Sequence, residues 1–261
     1  MKFSSSVNFL FGELPFLERF QAAANAGFNG VEIQFLEASC GECAAAAAAA
    51  DISVVLLNVD MGDLLSGGAG LSGVPGREEA FLDAVNQAIS AAKEMQARYI
   101  HLGPSRVPAE QSRALCLEVF KRNLDTILES GLMKGSKAKL LIEPMNGIDM
   151  PDALFTDVSE VAELIRERCS PHVGMQFDIY HVSKNGGDVA ELFANNFDVI
   201  EHVQFSDLPN RTEPGSGSLD FNEIFSALTA SGYQGWFGAE YFPSKPTLET
   251  LDWLQEARIT A

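Results

Sequence analysis

The chain has 261 residues, 46% of them hydrophobic and 21% charged, a globular balance with length enough for one large α/β domain or two ordinary ones. Eighteen basic against thirty-six acidic side chains give a formal net charge of -18, which repels polyanions and argues against a nucleic-acid partner. No apolar run approaches the roughly 20 residues that cross a bilayer. The opening MKFSSSVNFLFGELPF has a Glu and a Pro where a signal peptide keeps its hydrophobic stretch, so a cytoplasmic protein with no membrane partner is expected.

Short β-branched or aromatic runs alternate with amphipathic segments along the chain. The first strand is predicted at SSVNFLF, 5 to 11, ahead of the helical pattern PFLERFQAAANAGF, and the second at GVEIQF, 30 to 35. CGEC, Cys40 to Cys43, has the spacing of a redox motif or half a zinc site, but no second pair exists. Cys116 and Cys169 fall in helical patterns, and the four thiols are read as reduced. The run from Ala44 to Ala50 is the best helix-forming composition available, yet it lacks a polar face, and the pattern does not say how it packs.

The third strand, SVVLLNV at 53 to 59, leads through a Gly-rich loop, GLSGVPGREEAF at 70 to 81, which is either part of a lid or a connection. RYIHLG (98 to 103), KLLIEP (139 to 144), VGMQFDI (173 to 179), EHVQFS (201 to 206) and WFGAEY (236 to 241) complete eight strands, with helical patterns between them. Strand and helix alternating eight times with no Ser/Pro-rich linker predict a single α/β domain over 1–261, a (β/α)8 TIM barrel, whose usual size is about 250 residues. A doubly wound sheet would bring a Gly-rich phosphate turn after its first strand, where only Gly12 stands, and neither a P-loop nor G-x-S-x-G is present.

Four consecutive strands end in a side-chain oxygen donor: Glu143, Asp178, Gln204 and Glu240, spaced by 35, 26 and 36 residues, each about one βα unit. In a parallel barrel they converge at the C-terminal mouth. Three carboxylates at short range repel strongly, and a divalent cation resolves this; hard oxygen ligands point to Mg²⁺ or Mn²⁺ before Zn²⁺. Any one of the four could instead cap a helix or pair with an arginine, but four in succession is a pattern chance rarely makes.

The histidines divide by position. His202 lies two residues before Gln204 and so faces inward one layer deeper; His181 follows Asp178 by three, within reach of whatever a cation holds; His101 is an inward candidate on strand four. A buried His satisfied by hydrogen bonds is the commoner fate, and against it His181, His101 and His202 are each candidates for contact with the substrate. In the loop DLPNRTEPGSGSLDF, 207 to 221, Arg211 is the one cation, placed to clamp a substrate carboxylate unless it is simply a surface residue.

LSGVPGRE, LLIEPMN, MQFDIYH, HVQFSDLPNRTEPGSG and GYQGWFGAEY resemble, in order and spacing, the hydroxypyruvate isomerase family of the xylose isomerase-like barrels. The resemblance implies an aldose–ketose isomerase without an organic cofactor, interconverting hydroxypyruvate and tartronate semialdehyde or acting on a 2-oxo-tetronate, with a small hydroxy-oxo acid as its partner. Carried over, the acid/base pair falls on Glu143 and Glu240, the metal ligands on Glu143, Asp178, Gln204 and Glu240, and the substrate pocket on His181 and Arg211. The chain departs from the family at Thr212, where His is usual, at Ser218, where an acid is usual, at Leu102-Gly103-Pro104, and at Asn58-Val59. These departures touch the substrate rather than the cation. Rival expectations are a ketose 3-epimerase on the same barrel, an abasic-site endonuclease, which needs more histidines and a basic groove, and a sugar-acid binder without turnover. Homo-oligomerisation is open, since no face declares itself a contact.

Overall fold

Residues 1–259 are described in the computed structural model of the chain, and their eight strands close into one parallel barrel in sequence order. The strands are β1 (Lys2–Ser6), β2 (Gly30–Ile33), β3 (Ser53–Asn58), β4 (Tyr99–His101), β5 (Lys139–Ile142), β6 (Val173–Asp178), β7 (Ile200–Phe205) and β8 (Trp236–Ala239). Outside them run α1 (Glu18–Ala26), α2 (Cys40–Ala49), α3 (Glu78–Met95), α4 (Arg113–Glu129), α5 (Val158–Arg168), α6 (Ile179–Lys184), α7 (Val189–Asn196), α8 (Phe221–Ala230) and α9 (Asp252–Ile259). Closure is made where Trp236 to Ala239 of β8 pair in parallel with Lys2 to Ser5 of β1. The (β/α)8 barrel expected from the alternation is the fold. No described helix is long and apolar enough to cross a membrane.

The first strand differs from its prediction. β1 covers Lys2–Ser6, and VNFLF turns away from it, with Phe11 at a φ of 59°. Its inward face is polar, which hydrophobic alternation passes over: Ser4 Oγ donates to Glu32 Oε1 at 2.6 Å and Ser6 Oγ to Gln34 Oε1 at 2.5 Å. Outward, Phe3 meets Phe225 and Trp253 edge-on in the apolar layer between strands and helices. That layer is the core, and the barrel lumen is polar.

α2 opens with a capping box between Ser39 and Glu42, which satisfies two of the helix's first N–H groups. Cys43 is buried in the core, and burial pushes its thiol up to about 11; Cys40 is half-buried and also free. A thiol held protonated is a poor nucleophile and a poor ligand, so CGEC behaves as an ordinary helix start. The Gly-rich segment before α3 is stapled down as a connection: Arg77 pairs with Asp63 at 2.7 Å and donates to the Gly70 carbonyl at 3.2 Å.

Candidate active site

The C-terminal rim gathers its side chains through strand ends and the first turns beyond them. Glu143 follows β5 directly, Asp178 closes β6, Gln204 lies near the end of β7, and Glu240 follows β8. Asp178 is also the N-cap of α6, its side chain accepting from Tyr180 N–H at 2.8 Å through Oδ1. That use leaves Oδ2 facing the site, 3.5 Å from His181 Nε2 and 3.4 Å from Arg211 Nη2. Glu143 Oε2 lies 3.2 Å from His101 Nε2, while its buried Oε1 has no hydrogen-bond partner and stands 3.8 Å from His181 Nε2. Glu240 Oε2 accepts from Arg211 Nη2 at 2.5 Å.

Arg211 reaches the rim from the β7–α8 loop with its own backbone in the left-handed region, at a φ of 57°, a conformation non-glycine residues hold only when their surroundings fix it. The fixing groups are visible. Asp207, fully buried, accepts from the backbone N–H groups of Leu208, Gly215, Gly217 and Leu219 at 2.8 to 3.0 Å. Phe242 N–H donates to the Arg211 carbonyl at 2.8 Å, tying the loop to the end of β8. The guanidinium lies over the Tyr180 ring, 5.1 Å from its centroid, so it is both stacked and ion-paired.

His181 is held in one tautomer. Its Nδ1 lies 3.2 Å from the Asn146 backbone N–H and 2.7 Å from the Asn146 side-chain Nδ2. The amide orientation follows from Asn146 Oδ1, which accepts from Ile148 N–H at 3.1 Å and Asp149 N–H at 2.7 Å. Nδ1 is therefore an acceptor, and in the neutral ring the proton sits on Nε2. Burial lowers the imidazole's proton affinity, against the pull of Asp178 and Glu143, which keeps that neutral form. Nε2–H thus points into the site as a donor.

The rim electrostatics set its carboxyl groups apart. Burial works against ionisation of Glu143, but His101, His181 and Arg211 outweigh it and hold this carboxyl at about 2. Burial also dominates at Glu240 and pushes it up to about 8, with Arg211 opposing and Glu143, Asp178 and Glu32 adding repulsion. Arg211 is raised by Glu240, Asp178 and Glu143 in spite of its burial, which pulls Glu240 toward ionisation. At Glu240 the desolvation and the crowding of negative charge prevail.

Three carboxylates face one guanidinium here, a formal excess of negative charge that a divalent cation fits. One ligand atom each from Glu143, Asp178 and His181 lie within 4.8 Å of one another and could hold a metal ion. The unpartnered Glu143 Oε1 and the free side of Asp178 Oδ2 suit such an ion. His181 Nε2 carries its proton in the tautomer described, so the imidazole serves better as a neighbouring donor than as a ligand.

Gln204 is level with Asp178 in the strand register, and His202 lies one layer beneath it, level with Gln176. Gln204 Oε1 accepts from Gln176 Nε2 at 2.7 Å, and its Nε2 donates to Glu32 Oε2 at 2.7 Å. His202 Nε2 meets Glu32 Oε1 at 2.8 Å, and its ring faces Tyr99 at 5.4 Å. Of the predicted site residues, then, Glu143, Asp178, Glu240, His181, Arg211 and His101 come together at the rim. Gln204, level with Asp178, turns its amide nitrogen to Glu32, and His202, expected as a substrate contact, lies one layer deeper and is bonded to Glu32 instead.

A model of the xylose isomerase-like TIM barrel matches residues 20–257. The hydroxypyruvate isomerase of Escherichia coli is 32% identical over 99% of this chain and 100% of its own. The 2-oxo-tetronate isomerase of Cupriavidus necator is 32% identical over 97% of each. A crystal structure described as an AP endonuclease, family 2, from Brucella melitensis superposes with a TM-score of 0.91 at 32% identity, covering 98% of both chains. This chain belongs to the xylose isomerase-like TIM barrel family. With isomerases as its named relatives across nearly full length, it is an isomerase on that barrel.

Within this xylose isomerase-like barrel, three residues carry the site without having been singled out in the sequence: Glu32, Asn146 and Asp207. Glu32 gave a signal, since it interrupts the apolar run GVEIQF as Glu143 interrupts LLIEP. It is fully buried, and its carboxyl is lowered by His202, Ser4 and Gln204 in spite of desolvation. A Cβ on Gly238 would fall 2.0 Å from Glu32 Oε1, so β8 has glycine where the carboxylate seats. Asn146 and Asp207 stand inside the motifs LLIEPMN and FSDLPN, but their spacing alone names no partner.

Proposed function

We propose that this protein is a divalent-cation-assisted aldose–ketose isomerase of a short hydroxy-oxo acid, hydroxypyruvate or a 2-oxo-tetronate. The observation that carries the reading is the meeting of Glu143, Asp178 and Glu240 around the Arg211 guanidinium, at 2.5 Å from Glu240 and 3.4 Å from Asp178. The names of the relatives from Escherichia coli and Cupriavidus necator support the substrate class. Glu143, Asp178 and Glu240, with the second lone pair of Gln204 Oε1 as a neutral contribution, would hold Mg²⁺ or Mn²⁺, which when bound polarises the substrate carbonyl as a Lewis acid.

The protein's own groups do the proton work. Glu143 takes the proton from the carbon bearing the substrate hydroxyl, leaving an enediolate, Glu240 returns a proton to the neighbouring carbon, and the hydroxyl proton passes to the former carbonyl oxygen, so that the alcohol becomes the new carbonyl and the old carbonyl the alcohol. The His181 Nε2–H donates to the oxygen on which negative charge develops. Arg211 binds the substrate carboxylate in a planar fork, and its stacking on Tyr180 fixes the angle of approach. A neutral ketose, the substrate of a 3-epimerase, has no carboxylate for that fork. An abasic-DNA substrate, suggested by the description of the Brucella melitensis relative, meets a net charge of -18.

The test is to assay hydroxypyruvate with Mn²⁺ for the parent, Glu143→Gln and Glu240→Gln, and to follow deuterium incorporation in D₂O. The parent is expected to isomerise and to label the substrate carbon, while each variant loses at least about a hundredfold in kcat, the lower range of a positioned acid or base. Turnover by Glu240→Gln at the parent rate would sink the assignment. Incision of abasic duplex without isomerisation would replace it.

A further inference from the structure

The alanine run of α2 lines a cavity at the opposite end of the barrel. The cavity is about 920 Å³ and lies at the strand starts, bordered by Ser53 of β3, Tyr99 of β4 and Lys139 of β5. Ala44, Ala47 and Ala48 of α2, with Ile52, give it an apolar wall. Longer side chains on α2 would fill this space, so the run without a polar face has a consequence: it leaves a hollow of the size that takes a small molecule.

The rim of the hollow is cationic. Lys93 at the end of α3, Arg98 before β4 and Lys137 before β5 all border it; among the described residues none of the three is ion-paired to an acid, and Arg98 lies over the Trp236 ring, 5.9 Å from its centroid. Most other cations among the described residues are engaged, as Arg113 is with Glu160, Arg166 with Asp198 and Arg211 with Glu240. With Lys139 the hollow is bordered by four cations, and two acids, Glu201 and Glu94, offset part of their charge. Glu201 is taken by Lys139 at 2.5 Å, and Glu94 borders the α2 side near Gly41. A single exposed lysine is ordinary. A net excess of two positive charges around one concavity, in a chain of net charge -18, is complementary to an anion.

We propose that this N-terminal cavity binds a small amphiphilic anion, with a phosphate or carboxylate head on Lys93, Arg98 and Lys137 and an apolar body against the alanine wall. The site is separate from the catalytic rim, which lies at the other ends of the same strands, so occupancy of one does not exclude the other. Tyr99, whose hydroxyl burial and Glu201 keep protonated by pushing it up to about 12, also borders the cavity.

The test uses 8-anilinonaphthalene-1-sulfonate, an anionic head on an apolar body, followed by its fluorescence on the folded protein. One saturable site is expected, with octyl phosphate or octanoate displacing the dye and the uncharged N-phenyl-1-naphthylamine failing to take its place. The double variants Lys93→Glu/Lys137→Glu and Lys93→Ala/Lys137→Ala should each weaken binding at least about tenfold, two lost charge-assisted contacts, with the melting temperature and isomerase turnover unchanged. Raising salt from about 20 to about 500 mM should weaken binding in the parent and much less in the variants. Unchanged dye affinity in both double variants, displacement by neither amphiphile, or displacement by hydroxypyruvate would each overturn the proposal, the last by placing the dye at the catalytic rim. Loss of isomerase activity in Glu240→Gln leaves dye binding intact, so the two readings fail separately.

Discussion

Arg211 Nη2 donates to Glu240 Oε2 at 2.5 Å from a loop residue whose backbone is itself in the left-handed region. The guanidinium is thus delivered to the rim by a loop that Asp207 has already folded, and its place does not depend on substrate. Removing it should raise KM for hydroxypyruvate by about 30-fold or more, the range of a lost charge-assisted pair in a buried site. Arg211→Lys should recover little, because an ammonium offers neither the fork nor the stack on Tyr180. Steady-state kinetics of Arg211→Ala and Arg211→Lys check this; a lysine variant at parental KM would show that charge alone suffices.

Asn146 governs His181 through Nδ1, so Asn146→Asp is expected to act on catalysis more than on the fold. The carboxylate presents an acceptor in place of the amide donor and draws the imidazole proton from Nε2 to Nδ1. Turnover should fall by about tenfold or more, as for loss of a hydrogen-bond donor to a developing oxyanion. Asn146→Ala, which keeps the backbone N–H donor at 3.2 Å, should fall less. The ring-nitrogen chemical shifts of ¹⁵N-histidine separate the two: the parent and Asn146→Ala should show protonated Nε2, and Asn146→Asp protonated Nδ1.

The barrel was legible because its signal is a repeat: eight short strands at βα spacing survive errors in any one of them, including the misplacement of β1. The rim carboxylates were legible for the same reason, since each stands where an apolar strand ends. The lumen was not. Glu32, Gln176, His202 and Gln204 satisfy one another across strands that are far apart in sequence, and no local period encodes which polar residue faces which. His202 shows the limit, correctly read as facing inward and one layer deep, but with its partner Glu32 170 residues away. Asn146 and Asp207 act by folding loops around themselves, which composition marks only as a turn.

Stability of the chelator-treated protein should depend on pH through Glu240. Its carboxyl, at 4.5 in an ordinary setting and pushed up to about 8 here by burial, favours the folded state most below 4.5. That contribution is lost as pH rises from about 4.5 through about 8. Glu143 works in the opposite sense: held at about 2, it stabilises the fold above 4.5 and is lost only as pH falls from there toward 2. Melting temperature should therefore decline between pH 5 and about 8 without metal, and Glu240→Gln should flatten that decline. Added Mn²⁺ should restore stability most at the alkaline end, where the ionised carboxylate is available to it. A slope that persists unchanged in Glu240→Gln would assign it to another group.

Glu32 and Gly238 occupy one space between them, so each can be tested against the other. Glu32 is fully buried and accepts from Ser4 at 2.6 Å and Gln204 at 2.7 Å, with His202 at 2.8 Å. Glu32→Ala strands all three groups in the lumen and should cost about 3–5 kcal/mol, since each buried polar group left without a partner costs about 1–3 kcal/mol. Gly238→Ala places a methyl 2.0 Å from Glu32 Oε1, and because the carboxylate is held on several sides it cannot move cheaply. A cost of about 1–3 kcal/mol, that of overpacking a close-fitted interior, is expected. In Glu32→Ala/Gly238→Ala the methyl enters space the carboxylate has left, so the double variant should lie well below the sum of the singles. Urea denaturation of the four proteins measures that coupling. Additive costs would mean that Gly238 is required for a reason other than the seat of Glu32.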